Sequence, residues 1–123
     1  MIKHNYIEKG EGEVLIMLHG NGLDSSYFYY QIEYFSSKYR VIAVDSRGHG
    51  RTPRGDKPLS ILQFSEDLKI FMDMHDIKKA NILGFSDGAN VAIRFAIDYP
   101  ERVEKLILNG ANIKYRALRF TVR

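Results

Sequence analysis

Residues 81–90 read NILGFSDGAN: a short apolar run closing in Gly84-Phe85-Ser86-Asp87-Gly88 and passing directly into a segment of helical period that lasts to Tyr99. A strand over 81–85 and a helix from about Asp87 place Ser86 in the turn between them. G-x-S-x-G in that setting has the pattern of a nucleophile elbow. A serine held in so sharp a turn is crowded, and glycines two positions before and two after it relieve the crowding. The helix start beside Ser86 leaves the Asp87 amide and the helix dipole able to stabilise an oxyanion. Taken alone, the pentapeptide reads equally well as a glycine-rich turn with no chemistry.

Working outward, residues 6–8 read as a short edge strand, turned by Gly10 and Gly12 into EVLIML over 13–18, a continuous apolar run of the kind found in central parallel strands. VIAVD over 41–45 and EKLILN over 104–109 supply two more strands. A first helix is expected over 25–37, with Asp24 as N-cap and Phe28, Ile32 and Phe35 as its buried stripe. Tyr27, Tyr30 and Tyr34 fall off that stripe, which leaves them to pack at the sheet margin or to line a cleft. A second helix over 59–74 follows Pro58 and carries Phe64, Leu68, Phe71 and Met72 in register with His75, expected to be a hydrogen-bonded histidine at the core edge. The third packs Val91, Ala92, Phe95 and Ala96 and ends before Pro100. Strands alternating with helices predict an α/β fold, a mostly parallel sheet flanked by helices, in one domain over 1–123.

His19-Gly20-Asn21-Gly22 lies directly after EVLIML. If the chain crosses from EVLIML to VIAVD on one side and returns to NILGF on the other, the order reverses between EVLIML and NILGF, and HGNG and GFSDG face one crevice. The amides of Asn21 and Asp87 then converge on one oxyanion while Ser86 attacks, as acyl transfer needs. A third motif, DSRGHGRT over 45–52, closes VIAVD with a loop.

In that order the three motifs resemble the α/β-hydrolase superfamily, specifically the N-terminal half of its small esterase-like and C–C-hydrolase-like members, over residues 6–112. The resemblance implies that Ser86 is the nucleophile, that the Asn21 and Asp87 backbone amides form the oxyanion hole, and that DSRGHG is mainly architectural, with His19 and His49 structural. It implies hydrolysis of an ester or similar acyl bond of a small molecule through an acyl-enzyme intermediate, with no cofactor and no metal.

The family's acid and histidine follow its serine. Here all four histidines (His4, His19, His49 and His75) precede Ser86. The downstream acids Asp98, Glu101 and Glu104 fall at the wrong ends of their elements, and the strand end where some members carry an acid reads Asn109-Gly110-Ala111-Asn112. Full members are about twice as long, so the expectation is a truncated hydrolase domain, inactive as 123 residues. The basic tail over 114–123 departs from the family pattern and is read as non-native sequence or a truncation scar.

Composition narrows the alternatives. With 45% hydrophobic and 27% charged residues the chain has the balance of a globular protein. The net charge of +3 derives from Lys114, Arg116, Arg119 and Arg123; without these, 14 bases face 15 acids, so residues 1–113 offer nucleic acid no basic face. Cysteine is absent, residues 14–18 are far too short to span a membrane, and residues 1–12 hold no signal-peptide core, so a cytoplasmic protein is expected. Two other classes stand beside the enzyme. Gly20-x-Gly22-x-x-Ser25 with Asp45 ending the next strand partly mimics a dinucleotide fingerprint, but its third glycine is missing. A non-catalytic interaction protein is the other, because strand 104–109 would present an open apolar edge, for which a homo-oligomer is expected.

Overall fold

The computed structural model describes residues 2–110; the basic tail lies outside the described residues. Five strands, β1 (Tyr6–Lys9), β2 (Val14–Leu18), β3 (Arg40–Val44), β4 (Ala80–Phe85) and β5 (Val103–Asn109), form one sheet in the order β1-β3-β2-β4-β5. β1 runs antiparallel to β3 and the other pairings are parallel. Leu18 pairs with both Val44 and Gly84, so β2, β3 and β4 all end on the same side. The chain leaves β2 for β3 on one flank and returns to β4 on the other, which makes the β2/β4 boundary the point where strand order reverses.

Three helices, α1 (Tyr29–Phe35), α2 (Ile61–Met74) and α3 (Asp87–Asp98), cover the sheet. Alternate strand residues point to opposite faces. Ile16, Leu18, Ile42, Val44 and Ile82 meet Leu68, Phe71 and Met72 of α2 and Val91, Ala92 and Phe95 of α3. Leu15, Met17, Val41 and Ala43 meet Phe28 and Ile32 on the other face. Each such side chain contributes about 1.5–3 kcal/mol by leaving water. No helix among the described residues is long and apolar enough to cross a membrane.

Several element bounds differ from the sequence reading. The first helix begins as a 3₁₀ turn, Ser25–Phe28, and is α-helical only over Tyr29–Phe35. Asp24 does cap it, accepting from the Ser26 amide at 2.9 Å, but the Ser25 amide is drawn to the Asp45 carboxylate at 2.7 Å, outside any helical ladder. The second helix begins at Ile61 because Ser60 caps it, its Oγ accepting from the Gln63 amide at 3.0 Å. β3 ends at Val44, before Asp45. Tyr27 packs at the sheet margin, stacked on Phe85 at 4.8 Å between ring centroids, whereas Tyr30 and Tyr34 stand in solvent. His75 is held by ring contacts, 4.2 Å from Phe71 and 5.0 Å from Tyr6, where a hydrogen bond was expected.

Candidate active site

Ser86 follows β4 and caps α3 with φ 55° and ψ −118°, one of two non-glycine residues in the described chain with positive φ. That conformation costs an L-residue of order 1–3 kcal/mol and persists only where the surroundings impose it. They do so from three sides. The Ser86 amide donates to the Asn109 carbonyl at the end of β5 over 2.8 Å, and the Ser86 carbonyl accepts from the Ala89 amide at 2.9 Å. The flanking glycines let the turn close. A Cβ on Gly84 would overlap the Gly88 carbonyl and stand 2.6 Å from the Ala89 Cα, and one on Gly88 would overlap the Leu18 carbonyl. No alanine fits at either position, so α3 starts hard against the ends of β2 and β4. The first amides of α3, that of Asp87 included, have no carbonyl partner inside the helix.

The HGNG loop meets this turn. A Cβ on Gly20 would lie 3.3 Å from the Ser86 Cβ, which puts the loop beside the serine. Asn21 and Asp87 line one small hollow together with His19, His49 and Phe64. The sequence reading put these two amides and Ser86 at one end of the sheet, and all three lie at the carboxyl ends of β2 and β4. The hollow, about 10 Å³, takes no more than a single water. A roomier one of about 400 Å³ opens at Ile2, His4, Tyr6, Phe71 and His75, away from Ser86.

Two rings bridge the HGNG loop to the loop after β3. His19 is 3% exposed; its Nδ1 lies 2.8 Å from the Gly20 carbonyl and its Nε2 accepts from the Ser46 amide at 3.0 Å. One donor and one acceptor are what a neutral ring offers. Burial, with His49 beside it, holds the His19 imidazole below its ordinary range. His49 places Nδ1 3.0 Å from the Arg47 carbonyl and Nε2 3.3 Å from Asn21 Oδ1.

Beneath the rings the 45–52 loop is tied down by contacts that sequence reasoning missed. Asp45 accepts from the amides of Ser25 and Arg51 at 2.7 and 3.0 Å and from Asn5 Nδ2 at 2.8 Å. Burial alone would raise its carboxyl, but these hydrogen bonds outweigh it and hold Asp45 below the usual carboxylate range. Gly50, with φ 54°, lies so close that its Cβ would stand 2.8 Å from Asp45 Oδ1. Arg47 and Asp67, each 5% exposed at the side chain, form a buried two-pronged pair of 2.8 and 2.9 Å, and Arg47 Nη1 also donates to the Arg54 carbonyl. A spacing of 20 residues carries no periodic signal, and nothing local to Arg47 in the polar loop 45–52 announces the pair.

Of the acids downstream of Ser86, Asp87 lines the hollow, whereas Asp98 and Glu104 do not. Asp98 closes the far end of α3, paired with Arg94 at 2.7 Å, and Glu104 opens β5 beside Lys79 at 3.9 Å.

A family model described as the alpha/beta hydrolase fold matches residues 13–119. A 2-hydroxy-6-oxo-6-phenylhexa-2,4-dienoate hydrolase of Comamonas testosteroni is 39% identical over 112 residues, 86% of this chain and 39% of that protein. The (E)-2-((N-methylformamido)methylene)succinate hydrolase of Acinetobacter baylyi is 31% identical, over 96% of this chain and 45% of its own length. Among solved structures, a meta-cleavage product hydrolase from Pseudomonas fluorescens superposes with a TM-score of 0.86 at 35% identity, covering 89% of this chain and 42% of that one. A thermophilic esterase from Thermogutta terrifontis gives 0.86 at 28% identity over 90% and 41%. The chain thus spans less than half the length of the relatives it matches.

Proposed function

The chain belongs to the alpha/beta hydrolase fold family, and on that premise we propose that it carries the nucleophile half of a serine hydrolase site. Ser86 Oγ attacks the carbonyl of an ester or similar acyl bond in a small molecule, and the Asn21 and Asp87 amides hold the oxyanion that forms. One observation carries this reading: a serine at φ 55°, flanked by two glycines that no side chain could replace, is pressed against the HGNG loop. Strain of that kind clusters at functional sites.

A base must take the proton of Ser86 as it attacks. His19 has both ring nitrogens engaged, and His49 is engaged with Arg47 and Asn21. The base and its acid are therefore assigned to absent sequence or to another chain. Without them the chain retains at most the oxyanion-hole and binding contribution, about 10³–10⁴ over water in a well-studied protease. Reaction with a fluorophosphonate tests the reading: the adduct maps to Ser86 and is lost in Ser86→Ala, and an adduct elsewhere overturns it.

The dinucleotide reading loses its ribose ligand, because Asp45 is 2% exposed and its oxygens already accept from Ser25, Arg51 and Asn5. Assembly is part of the proposal. β5 pairs with β4 on one side and no described strand lies on its other side, which favours pairing with a second copy. A cytoplasmic location is proposed with it.

A further inference from the structure

The hollow of about 400 Å³ that opens away from Ser86 lies between residues 2–6 and the end of α2. Tyr6 opposes Val44 across the antiparallel β1/β3 pair, and opposed residues share a face, so Tyr6 stands on the side of the sheet that α2 covers. Phe71, Met74 and His75 come from the end of α2, at the i, i+3 and i+4 spacing that puts three side chains on one face. The wall before β1 is tied down at Asn5, whose amide donates to Thr52 Oγ1 at 2.9 Å and whose Nδ2 donates to Asp45 at 2.8 Å.

The rings that line this cup hold one another. Phe71 is the buried one. Tyr6 and His4 meet it edge-to-face at 5.4 and 5.8 Å between centroids, His75 lies against it at 4.2 Å, and Tyr6 meets His75 at 5.0 Å. Rings fixed by rings need little ordering when a guest enters, which removes part of the cost of binding. The volume is that of a small-molecule site.

The polar ends here are unlike those beside Ser86. His19 and His49 have both ring nitrogens engaged. His4, Tyr6 and His75 meet rings, and among the described residues no hydrogen bond uses the side chain of any of them. Apolar walls with a few convergent polar groups are the pattern of a ligand site. The charge at the cup has one sign. Exposed Lys3 lines it and no acid does; Asp73 is taken by Lys69 and Arg102, and Asp67, which shares a smaller hollow with His4, is matched by Arg47. A cation would gain from the ring faces but would meet Lys3 with no acid to offset it. An anion carried on an apolar ring suits both the walls and the charge.

We propose that this cup is a binding site for a flat aromatic carboxylate, its ring received among Tyr6, Phe71 and Met74 and its carboxylate held at the mouth by Lys3 and an imidazole N–H. The site is separate from the Ser86 hollow and does not rest on the hydrolase reading.

Nuclear magnetic resonance on the full chain, with benzoate as the probe, tests this. The ring protons of His4, Tyr6 and His75 and the Met74 methyl should shift together along one saturable curve, with a Kd of about 1 mM or tighter for so small a ligand. Cyclohexanecarboxylate keeps the charge and lacks the π face, and benzyl alcohol keeps the ring and lacks the charge; each should bind about threefold or more weakly. Lys3→Glu, at an exposed position that leaves the fold alone, should weaken benzoate by about threefold or more and leave benzyl alcohol unchanged. Met74→Glu, also at an exposed residue, should weaken both. Shifts that do not saturate, shifts spread over the whole surface, or cyclohexanecarboxylate binding as well as benzoate would overturn the proposal. So would resonances of the cup that move with protein concentration and not with benzoate, which would place a second copy of the chain there.

Discussion

Gly88, in the first turn of α3, lies so close to Leu18, the last residue of β2, that a Cβ on the glycine would overlap the Leu18 carbonyl oxygen and stand 2.7 Å from that of His19. The start of the helix therefore rests directly on the end of the neighbouring strand, and this contact is what brings the serine turn to the HGNG loop.

Gly88→Ala and Gly84→Ala should each destabilise the chain by about 1–3 kcal/mol or more, since overpacked backbone has nowhere to yield. Gly22→Ala, at φ 78° but in open space, should cost only the left-handed conformation, about 1 kcal/mol. Urea unfolding of the three variants checks the ranking, and a mild effect at Gly88 would show that α3 can retreat from the sheet.

Removing one member of the Arg47–Asp67 pair strands a charge that is 5% exposed. Arg47→Leu or Asp67→Leu should lose about 3–5 kcal/mol, whereas the double variant should lose markedly less than the sum. Additive losses in a double-mutant cycle would mean that the two side chains do not depend on one another.

Stability should fall on the acid side of neutrality. Burial lowers the affinity of both His19 and His4 for protons in the fold, against an ordinary value of 6.5. The unfolded chain therefore binds more protons than the folded one as pH drops through 6.5, and the folded state is penalised until its own rings titrate. The urea midpoint should drop between about pH 7.5 and about pH 5. His19→Asn, which cannot titrate, should flatten that slope; an unchanged slope would remove His19 from the account.

Pairing through the outer edge of β5 predicts a dimer or larger assembly at micromolar concentration, read by light scattering. A monomer with slowly exchanging amides at Leu106, Ile107 and Leu108 would show that the chain covers its own edge.

The apolar runs made the sheet legible, because buried parallel strands leave no polar face to interrupt them: 14–18 and 81–85 were readable to within a residue. Gly84 and Gly88 marked the serine turn for the same steric reason that the structure displays. What stayed hidden depends on long-range side-chain partners. Nothing local to Asp45 announces that Ser25, Arg51 and Asn5 converge on it. The tie between His49 and Asn21 spans 28 positions and likewise has no periodic trace.

The most direct test of the central claim is to expose the folded chain to an alkyl fluorophosphonate and map the adduct by mass spectrometry. The account predicts slow modification of Ser86 ahead of every other serine, lost both in Ser86→Ala and on unfolding in urea. Modification spread evenly over exposed serines and tyrosines, or unchanged by Ser86→Ala, would contradict it.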